Sequence, residues 1–181
     1  MASPSPPHSA PSRSGLSPLL AGAVVVAVLG GGALLGRRNA PEPSHPSVDR
    51  WYHRLRKPSY TPPDPVFGAV WPVLEAGMAA GGYRLLRQPA GPARNAAVGL
   101  WLGLSAMIGG WTELFFRKRA LGASSAAAVA MAGAGAAYVA AASKADRPAA
   151  LAGVPLTLWL AFASVLAEGV RRRNPPETEQ R

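Results

Sequence analysis

The chain alternates long apolar stretches with short basic or proline-rich segments. Five of the stretches run for about 20 residues each, and a helix of that length spans the roughly 30 Å hydrocarbon core of a bilayer. The pattern predicts an all-α membrane protein, a five-transmembrane-helix bundle. Its approximate helices cover residues 16–35, 66–86, 96–116, 120–143 and 148–170.

Polar segments surround and separate these helices. Residues 1–15 are rich in Ser and Pro, so they predict a disordered N-terminal tail. Residues 171–181 read as a polar, basic C-terminal tail. The loop 37–65 contains several prolines, which exclude a regular helix across much of it. A single membrane domain over residues 16–170 is therefore expected between two tails.

The first and fourth helices each admit an alternative. The first could be the apolar part of a signal peptide, but it is longer than is usual there, and the basic pair Arg37-Arg38 follows it. The fourth is mostly Ala and Gly and could be a buried helix of a soluble protein. Its length and its apolar neighbours favour a span. Short links between the last four segments predict antiparallel, up-and-down packing.

The composition supports a membrane protein and excludes some chemistry. Hydrophobic residues make up 49% of the chain and charged residues 15%, against roughly 25% charged in soluble domains. The net charge of +10 comes from Lys and Arg that flank the apolar segments, so no nucleic-acid partner is expected. The absence of cysteine excludes disulfides, thiolate metal sites and a cysteine nucleophile.

The basic residues also predict an orientation. With five spans, 13 of the 19 fall on the side of the first loop and the C-terminus, and six on the other side. The positive-inside rule then places the C-terminus in the cytoplasm and the N-terminus outside. The Ala-, Arg- and Gly-rich usage suits a bacterial cytoplasmic membrane, with a eukaryotic organelle membrane as the alternative. The larger set is Arg37, Arg38, Arg50, Arg54, Arg56, Lys57, Arg117, Lys118, Arg119, Arg171, Arg172, Arg173 and Arg181, and the smaller set is Arg13, Arg84, Arg87, Arg94, Lys144 and Arg147.

Aromatic side chains are the main candidates for a binding site. Their ring faces could stack on a flat ligand inside an apolar cavity, or they could anchor helix ends at the membrane interface and pack the bundle. The residues concerned are Trp51, Tyr52, Trp71, Trp111, Phe115, Phe116, Trp159 and Phe162.

Three acidic residues fall within predicted helices. Glu75 lies about 13 Å into its helix, on the same face as Trp71. A carboxylate at that depth is costly, so it would contact a polar ligand, couple to protons, or be protonated and hydrogen-bonded to a neighbouring helix. Glu113 and Glu168 lie nearer helix ends, where pairing with the adjacent arginine clusters is expected.

The small residues and the histidines are weaker indications of a functional site. The pairs Gly77/Gly81 and Gly99/Gly103 place small residues on one helix face, for internal packing or for a dimer seam on the third helix. His53 lies beside Tyr52 in the first loop and is expected to be an exposed loop residue rather than a haem ligand. No metal-ligand spacing, nucleophile triad or phosphate-cradling loop is visible.

Three sequence blocks together resemble the tryptophan-rich sensory protein (TspO/MBR) family. The resemblance covers roughly residues 16–174. The most specific block is Trp51-Tyr52, Lys57-Pro58-Ser59, Pro62-Pro63 and 67–71 (Phe-Gly-Ala-Val-Trp). The second is Trp111 with Leu114-Phe115-Phe116, and the third comprises Asp146-Arg147, Pro155, Trp159, Phe162-Ala163 and Asn174.

The resemblance implies a five-helix fold, commonly dimeric, with a cavity closed by the loop 37–65. In this family the cavity takes tetrapyrroles such as porphyrin and haem, sterols or aromatic drug-like molecules, no cofactor is required, and bacterial members are tied to tetrapyrrole metabolism and stress. The ligand-binding residues implied here are Trp51, Tyr52, Pro58, Pro63, Phe67, Trp71, Glu75, Trp111, Phe115, Trp159, Phe162 and Ala163.

Several positions depart from the family pattern. Leu104 and Ile108 replace the usual Gln and Asn, Leu156 replaces a Tyr, Ala167 replaces an Asn, and Glu75 replaces a Tyr. Asp64-Pro65 also stands where a Trp is usual. Polar groups that would orient a ligand are therefore missing, while the pattern that specifies the fold is kept.

Three functions follow as hypotheses. The first is a non-enzymatic receptor or carrier for tetrapyrroles. The second is a small proton-coupled exporter with Glu75 as its coupling carboxylate. The third is an enzyme that degrades bound porphyrin, for which the sequence shows no catalytic constellation.

Overall fold

A computed structural model describes residues 14–41 and 44–175 of the chain. Most of the predicted disordered tail and the end of the C-terminal tail lie outside the described residues. Within them the chain is all-helical, as predicted. The helices are α1 (Pro18–Asn39), α2 (Pro46–Arg54), α3 (Asp64–Arg87), α4 (Pro92–Thr112), α5 (Leu121–Ser143) and α6 (Arg147–Arg173), with a π-helical turn (Glu113–Arg117) that continues α4.

Each of the five long helices covers one predicted apolar segment. Among the described residues, α1, α4 with its π-turn, α5 and α6 are long and apolar enough to cross a membrane. Helix α3 is as long as the others but is not among them, and it carries Asp64, Glu75, Arg84 and Arg87. The five-span count is therefore not confirmed by length and apolar composition.

Proline and capping residues mark where the helices begin. All the helices except α5 have a proline in the first two positions, where its missing N–H breaks no helical hydrogen bond. The Ser17 hydroxyl accepts from the Leu20 amide, and the Asp146 carboxylate accepts from the Ala149 amide. Basic residues in the last turns of α1 and α6 complement the helix dipole.

The long helices form a closed ring. Helix α1 packs on α3 and α4, α3 packs on α6, α6 packs on α5, and α5 packs on α4. Sequential helices are antiparallel, so one end of the ring, here called the loop side, holds α2, the C-terminal ends of α1, α4 and α6, and the starts of α3 and α5. On the loop side, Asn39 donates to Thr112 at 2.9 Å. At the far end, the Leu16 amide donates to the Leu86 carbonyl at 2.9 Å.

The two sets of basic residues separate as the alternating topology requires. All described members of the larger set are in elements at the loop side, and all described members of the smaller set are at the far end. Arg13 and Arg181 lie outside the described residues. The asymmetry of charge between the ends of the bundle is thus a property of the fold.

The interior is filled by two large side chains that fit against glycines. The Trp101 indole has no exposed surface and donates to the Met78 carbonyl at 3.0 Å. A side chain at Gly82 would collide with this indole. Tyr138 is equally buried and lies where Gly81 and Gly153 have no side chain. These close contacts fix the distances from α3 to α4 and from α5 to α6.

The two glycine pairs have different surroundings. Gly77 faces the Ala152 carbonyl of α6, and Gly81 faces Tyr138, so this pair serves internal packing. Gly99 and Gly103 are exposed, with open space beyond their Cα atoms. The outer face of α4 is therefore free of contacts within the described chain at these two positions.

An ion pair fastens α3 to the start of α6. The Arg84 guanidinium donates to both oxygens of Asp146, at 2.9 and 3.1 Å, and Gln88 donates to the same carboxylate at 2.6 Å. Burial acts to raise the pKa of Asp146, but hydrogen bonds from Arg84, the Ala149 amide and Gln88 outweigh it and lower the pKa. The carboxylate is therefore charged in the folded protein at neutral pH.

Candidate functional site

Helix α2 lies within the loop 37–65, a segment whose prolines predicted irregular structure across much of its length. Pro46 is at the start of α2, where proline favours a helix. Asp49 pairs with His53 one turn later, at 3.3 Å. The helix ends at Arg54, and residues 55–63 have no regular structure. The helix places Trp51 and Tyr52 against the end of α4.

Five rings form the loop-side aromatic cluster, which joins α2 to the π-turn of α4. Trp51 meets Phe115 edge-on at 5.6 Å between centroids, and Tyr52 meets Phe116 at 5.8 Å. Trp111 stacks on Phe115 at 4.8 Å with an interplanar angle of 12°. Offset and edge-on pairs of this kind stabilise by about 0.5–1.5 kcal/mol beyond the area they bury.

The π-turn shapes this cluster. A π-turn inserts an extra residue into a helix, and such turns are frequent at functional sites. Here Phe115 and Phe116, which are consecutive, both reach the cluster, with their rings edge-on at 5.0 Å. The Trp111 indole donates to the Ser124 carbonyl of α5 at 2.8 Å. This hydrogen bond fixes the position of the Trp111 ring, which stacks on Phe115.

Arg119 holds α2 from the connection between α4 and α5. Its φ is +53°, a left-handed conformation that few residues other than glycine adopt. The guanidinium donates to the Ser47 carbonyl at 3.3 Å and lies 5.4 Å from the centre of the Trp51 ring. The left-handed backbone at Arg119 is therefore accompanied by two contacts of its side chain with α2.

Tyr52 is enclosed by charged neighbours. Its hydroxyl donates to Asp64 at 3.3 Å, and the Lys57 ammonium lies 3.5 Å from the centre of its ring. Burial, together with the nearby Asp64 carboxylate, raises the pKa of Tyr52 to about 12. The phenol is therefore a neutral hydrogen-bond donor throughout the physiological range.

The remainder of the loop is fastened to α6. Pro58 is buried, and the Tyr60 hydroxyl donates to the Val165 carbonyl at 3.4 Å. Gly169 leaves the space that Pro58 and Tyr60 occupy. Asn174 and the backbone of Arg56 exchange two hydrogen bonds of 3.0 Å each. The loop is thus attached to both α4 and α6 across the loop side of the ring.

A second group of rings, the α3–α6 aromatic cluster, consists of Phe67, Trp159 and Phe162. Phe67 meets Trp159 edge-on at 5.7 Å, and Trp159 lies 5.5 Å from Phe162. Trp71, one helical turn beyond Phe67, is half-buried and packs against the core. The predicted binding aromatics are therefore divided between two groups, one beneath α2 and one between α3 and α6.

The other predicted site residues are less enclosed. Pro63 is exposed and Ala163 is half-buried. Glu75 is exposed and makes no recorded hydrogen bond or ion pair with the described residues. The predicted pairing of the other two acidic residues is confirmed. Glu113 lies 3.8 Å from Arg117, and Glu168 accepts from Arg171, Arg172 and the Ser125 hydroxyl.

The positions that depart from the family pattern lie largely inside the bundle. Leu104 and Leu156 are almost completely buried, and Ala167 is buried. Ile108 is half-buried and packs against the same core. Apolar side chains therefore occupy the interior where the family has polar ones, so no ligand would be oriented by hydrogen bonds at these points.

Sequence reasoning missed two buried residues. Trp101 lies in the predicted third helix, and nothing in the sequence pattern distinguishes it from the other apolar residues there. Asn39 falls within the predicted loop 37–65, yet it is buried against Thr112, and its side-chain oxygen has no partner among the described residues. The possible signal for Trp101 is Gly82 on the neighbouring helix α3, which leaves space for the indole. No comparable signal is apparent for Asn39.

The described residues contain no group of three or more His, Cys, Asp or Glu that could hold a metal ion. The arrangement offers aromatic faces, apolar surface and, at the rim, the cations Lys57 and Arg119. These are the groups that a flat hydrophobic molecule would contact, and no nucleophile with an adjacent base is visible among the described residues.

Comparison with known proteins agrees with this architecture. A sequence model of the TspO/MBR family matches residues 23–173. The translocator protein of Homo sapiens is 35% identical over 127 residues, which are 69% of this chain and 75% of the human protein. The translocator protein of Bos taurus is 34% identical over 119 residues, which are 65% of this chain and 70% of the bovine protein. The translocator protein of Sus scrofa is 34% identical over 126 residues, which are 68% of this chain and 75% of the porcine protein. The match along most of the chain, together with the apolar helices, shows that this integral membrane protein belongs to the TspO/MBR family.

Proposed function

We propose that this chain is a non-enzymatic membrane receptor or carrier that binds a tetrapyrrole, such as porphyrin or haem, or a related planar hydrophobic molecule. The observation that carries the proposal is the placement of two aromatic groups around the loop-side half of the ring, one of them fastened to α2. In a bacterial member such binding would serve the regulation of tetrapyrrole metabolism or a stress response.

The chemistry of the two clusters supports a flat ligand. Aromatic faces stack on a planar macrocycle, and apolar side chains beside the two clusters would add hydrophobic stabilisation without directional contacts. Lys57 and Arg119 at the rim would meet the carboxylates that porphyrins carry. Because Leu104 and Leu156 replace polar residues, the ligand would be held by stacking and by these cations rather than by hydrogen bonds deep in the bundle.

Titration with protoporphyrin in detergent tests this function. The parent protein is expected to give a saturable shift of the porphyrin absorbance band. Replacing both Trp51 and Trp71 with Ala should weaken binding at least tenfold, about 1.4 kcal/mol. A Trp101→Phe variant serves as the control, because Trp101 lies in the packed core. Unsaturable binding, or equal affinity in the double variant, would exclude this site.

We further propose that α3 is a fifth span. At 24 residues it measures about 36 Å, and it lies in the ring between α1 and α6. The excess of basic residues would then place the loop side in the cytoplasm and the N-terminus outside, most simply in a bacterial cytoplasmic membrane. The open face of α4 at Gly99 and Gly103 offers a surface on which two copies would form a homodimer.

A proton-coupled exporter is the second candidate function, and the position of Glu75 favours it. The residue lies in the middle of α3 and has no recorded partner among the described residues. An ionisable group at that depth is costly unless it has a function. In sealed vesicles Glu75→Gln should abolish pH-driven porphyrin transport and preserve binding. Transport that does not respond to a pH gradient in the parent protein would reject this function.

Porphyrin degradation is the third candidate. It would appear as bleaching of the porphyrin spectrum under illumination, faster than in a control without protein. A constant spectrum supports the non-enzymatic proposal.

A further inference from the structure

Two adjoining clefts open on the loop side beside α2. The first, about 360 Å³, lies between Arg38 at the end of α1, the start of α2 and Arg117 of the π-turn. The second, about 310 Å³, is lined by residues of α2 and by Arg119. Ser47 lines both clefts, so they are neighbours, and together they are here called the arginine cleft.

The arginine cleft gathers positive charge. Five arginines from three parts of the chain line it, and no Asp or Glu is among the described lining residues. They are Arg38, Arg50, Arg54, Arg117 and Arg119. Arg38 makes no recorded hydrogen bond or ion pair within the described chain, and Arg117 comes no closer than 3.8 Å to its carboxylate partner Glu113. Bringing like charges together is unfavourable, and an anion between them would remove that cost.

The first turn of α2 adds neutral donors to the same place. His45 provides no side-chain cap to the helix, and Pro46 has no amide hydrogen. The Ser47 amide, next in the chain, has no intrahelical acceptor, as at the start of any helix. Ser47 lines the cleft together with Arg38 and Arg117. Arginines together with a helix start suit the oxygens of a phosphate.

The position of the cleft relative to the apolar part of α1 indicates which kind of molecule supplies the phosphate. The apolar part of α1 ends with Leu34 and Leu35, which are 70% and 47% exposed, and Arg38 follows one turn later. The cleft therefore lies at the level of lipid headgroups, directly beyond a stretch of helix that acyl chains can cover. We propose that the arginine cleft binds the phosphodiester headgroup of an anionic phospholipid, whose acyl chains lie along the exposed face of α1.

Matched charge variants test this proposal. The double variant Arg38→Gln/Arg117→Gln removes two cations that line the cleft. The double variant Arg37→Gln/Lys118→Gln removes two neighbouring cations that do not line it, so both variants change the net charge equally. Each purified protein is titrated with short-chain phosphatidylglycerol, phosphatidylcholine or soluble glycerol phosphate, and binding is measured by thermal shift and native mass spectrometry.

The parent and the Arg37→Gln/Lys118→Gln variant should bind phosphatidylglycerol with the same affinity. The Arg38→Gln/Arg117→Gln variant should bind at least tenfold more weakly, while phosphatidylcholine and glycerol phosphate stabilise none of the proteins. Equal weakening in both variants would show diffuse attraction and overturn the proposal. So would equal stabilisation by glycerol phosphate, which would indicate a free-phosphate site, or an absence of saturable lipid binding by the parent. If the double variant does not fold, Arg38→Gln alone, at an exposed helix end, is compared with Arg37→Gln.

Discussion

The Trp101 indole is buried between α3 and α4 because Gly82 leaves room for it and the Met78 carbonyl accepts its N–H. Substituting Ala would remove the largest fully buried side chain of the described residues and leave a cavity that the rigid helices cannot close. We expect Trp101→Ala to lower the free energy of unfolding by about 3–5 kcal/mol.

Reversible unfolding in mixed micelles measures this loss. Leu102→Ala is the control, because Leu102 is the next residue along α4 and is 41% exposed. The control should lose less than about 1 kcal/mol. A similar loss in both variants would contradict the packing role of Trp101.

Asp146 makes the stability of the protein depend on pH. Its pKa in the folded state is lower than the ordinary value of 3.8, because hydrogen bonds from Arg84, the Ala149 amide and Gln88 outweigh the opposing effect of burial. The unfolded state therefore binds a proton more readily. The stabilisation is fully present above pH 3.8 and is lost as the pH falls through the lower folded pKa.

Melting temperatures measured from pH 6 downward should show this loss in the parent protein. Asp146→Asn should melt lower than the parent at neutral pH and respond less to acid. Glu113→Gln, which removes a carboxylate at the loop side, 3.8 Å from Arg117, should keep the acid response of the parent. An unchanged acid response in Asp146→Asn would mean that another carboxylate is responsible.

Helix α2 is held to the bundle mainly by its two aromatic side chains and by Arg119. Trp51 supplies an edge-on contact with Phe115 and the ring beneath Arg119. We expect Trp51→Ala to accelerate amide hydrogen exchange across residues 46–54 by about tenfold, because the loss of a ring pair and a cation–π contact reduces the free energy of local opening by about 1–2 kcal/mol.

Hydrogen exchange with mass spectrometry can resolve this segment. Arg54→Ala is the matched control, since its exposed side chain lies on the same helix without a recorded ring contact. Exchange within α5 should be the same in both variants. Protection of 46–54 that survives Trp51→Ala would indicate that the connection to α6 suffices.

The long helices could be predicted from the sequence because a bilayer imposes a length on every apolar segment. Helix α2 could not. Its nine residues would not persist alone in water, and they are stabilised by contacts with Phe115 and Phe116 from a distant part of the chain. The π-turn is equally invisible in the sequence, since its extra residue depends on packing against neighbouring elements.

At the scale of the whole molecule, the chain contains no cysteine, so introduced cysteines can report topology without background. We expect cysteines at Arg37, Lys118 and Arg172 to react with a membrane-impermeant maleimide from the same side, the cytoplasmic one. Cysteines at Arg87 and Lys144 should react from the opposite side. These positions lie at the two ends of the ring.

Cysteines at Arg37 and Arg87 test whether α3 spans the membrane. If α3 crosses the membrane, cysteines at these two positions react from opposite sides. Labelling of both from one side would show that α3 does not cross, and would leave four spans.

The sequence identifies candidate residues for a site but not how they are arranged. Trp51, Trp111 and Phe115 belong to one cluster and Phe67 and Trp159 to another, and this division depends on the ring order in which α3 neighbours α6. Short connections predict which sequential helices are antiparallel, but they do not determine which nonsequential helices meet. The same order brings Asn174 to the first loop.

The paired hydrogen bonds between Asn174 and Arg56 join residues 118 positions apart. During synthesis at the membrane, the loop leaves the ribosome long before its anchor has been made. The loop-side closure is therefore completed after the other long helices have been inserted, and a nascent chain truncated before α6 has an open end. A premature stop near the end of the coding sequence would thus leave most of the bundle in place but remove the fastening of the segment that closes it.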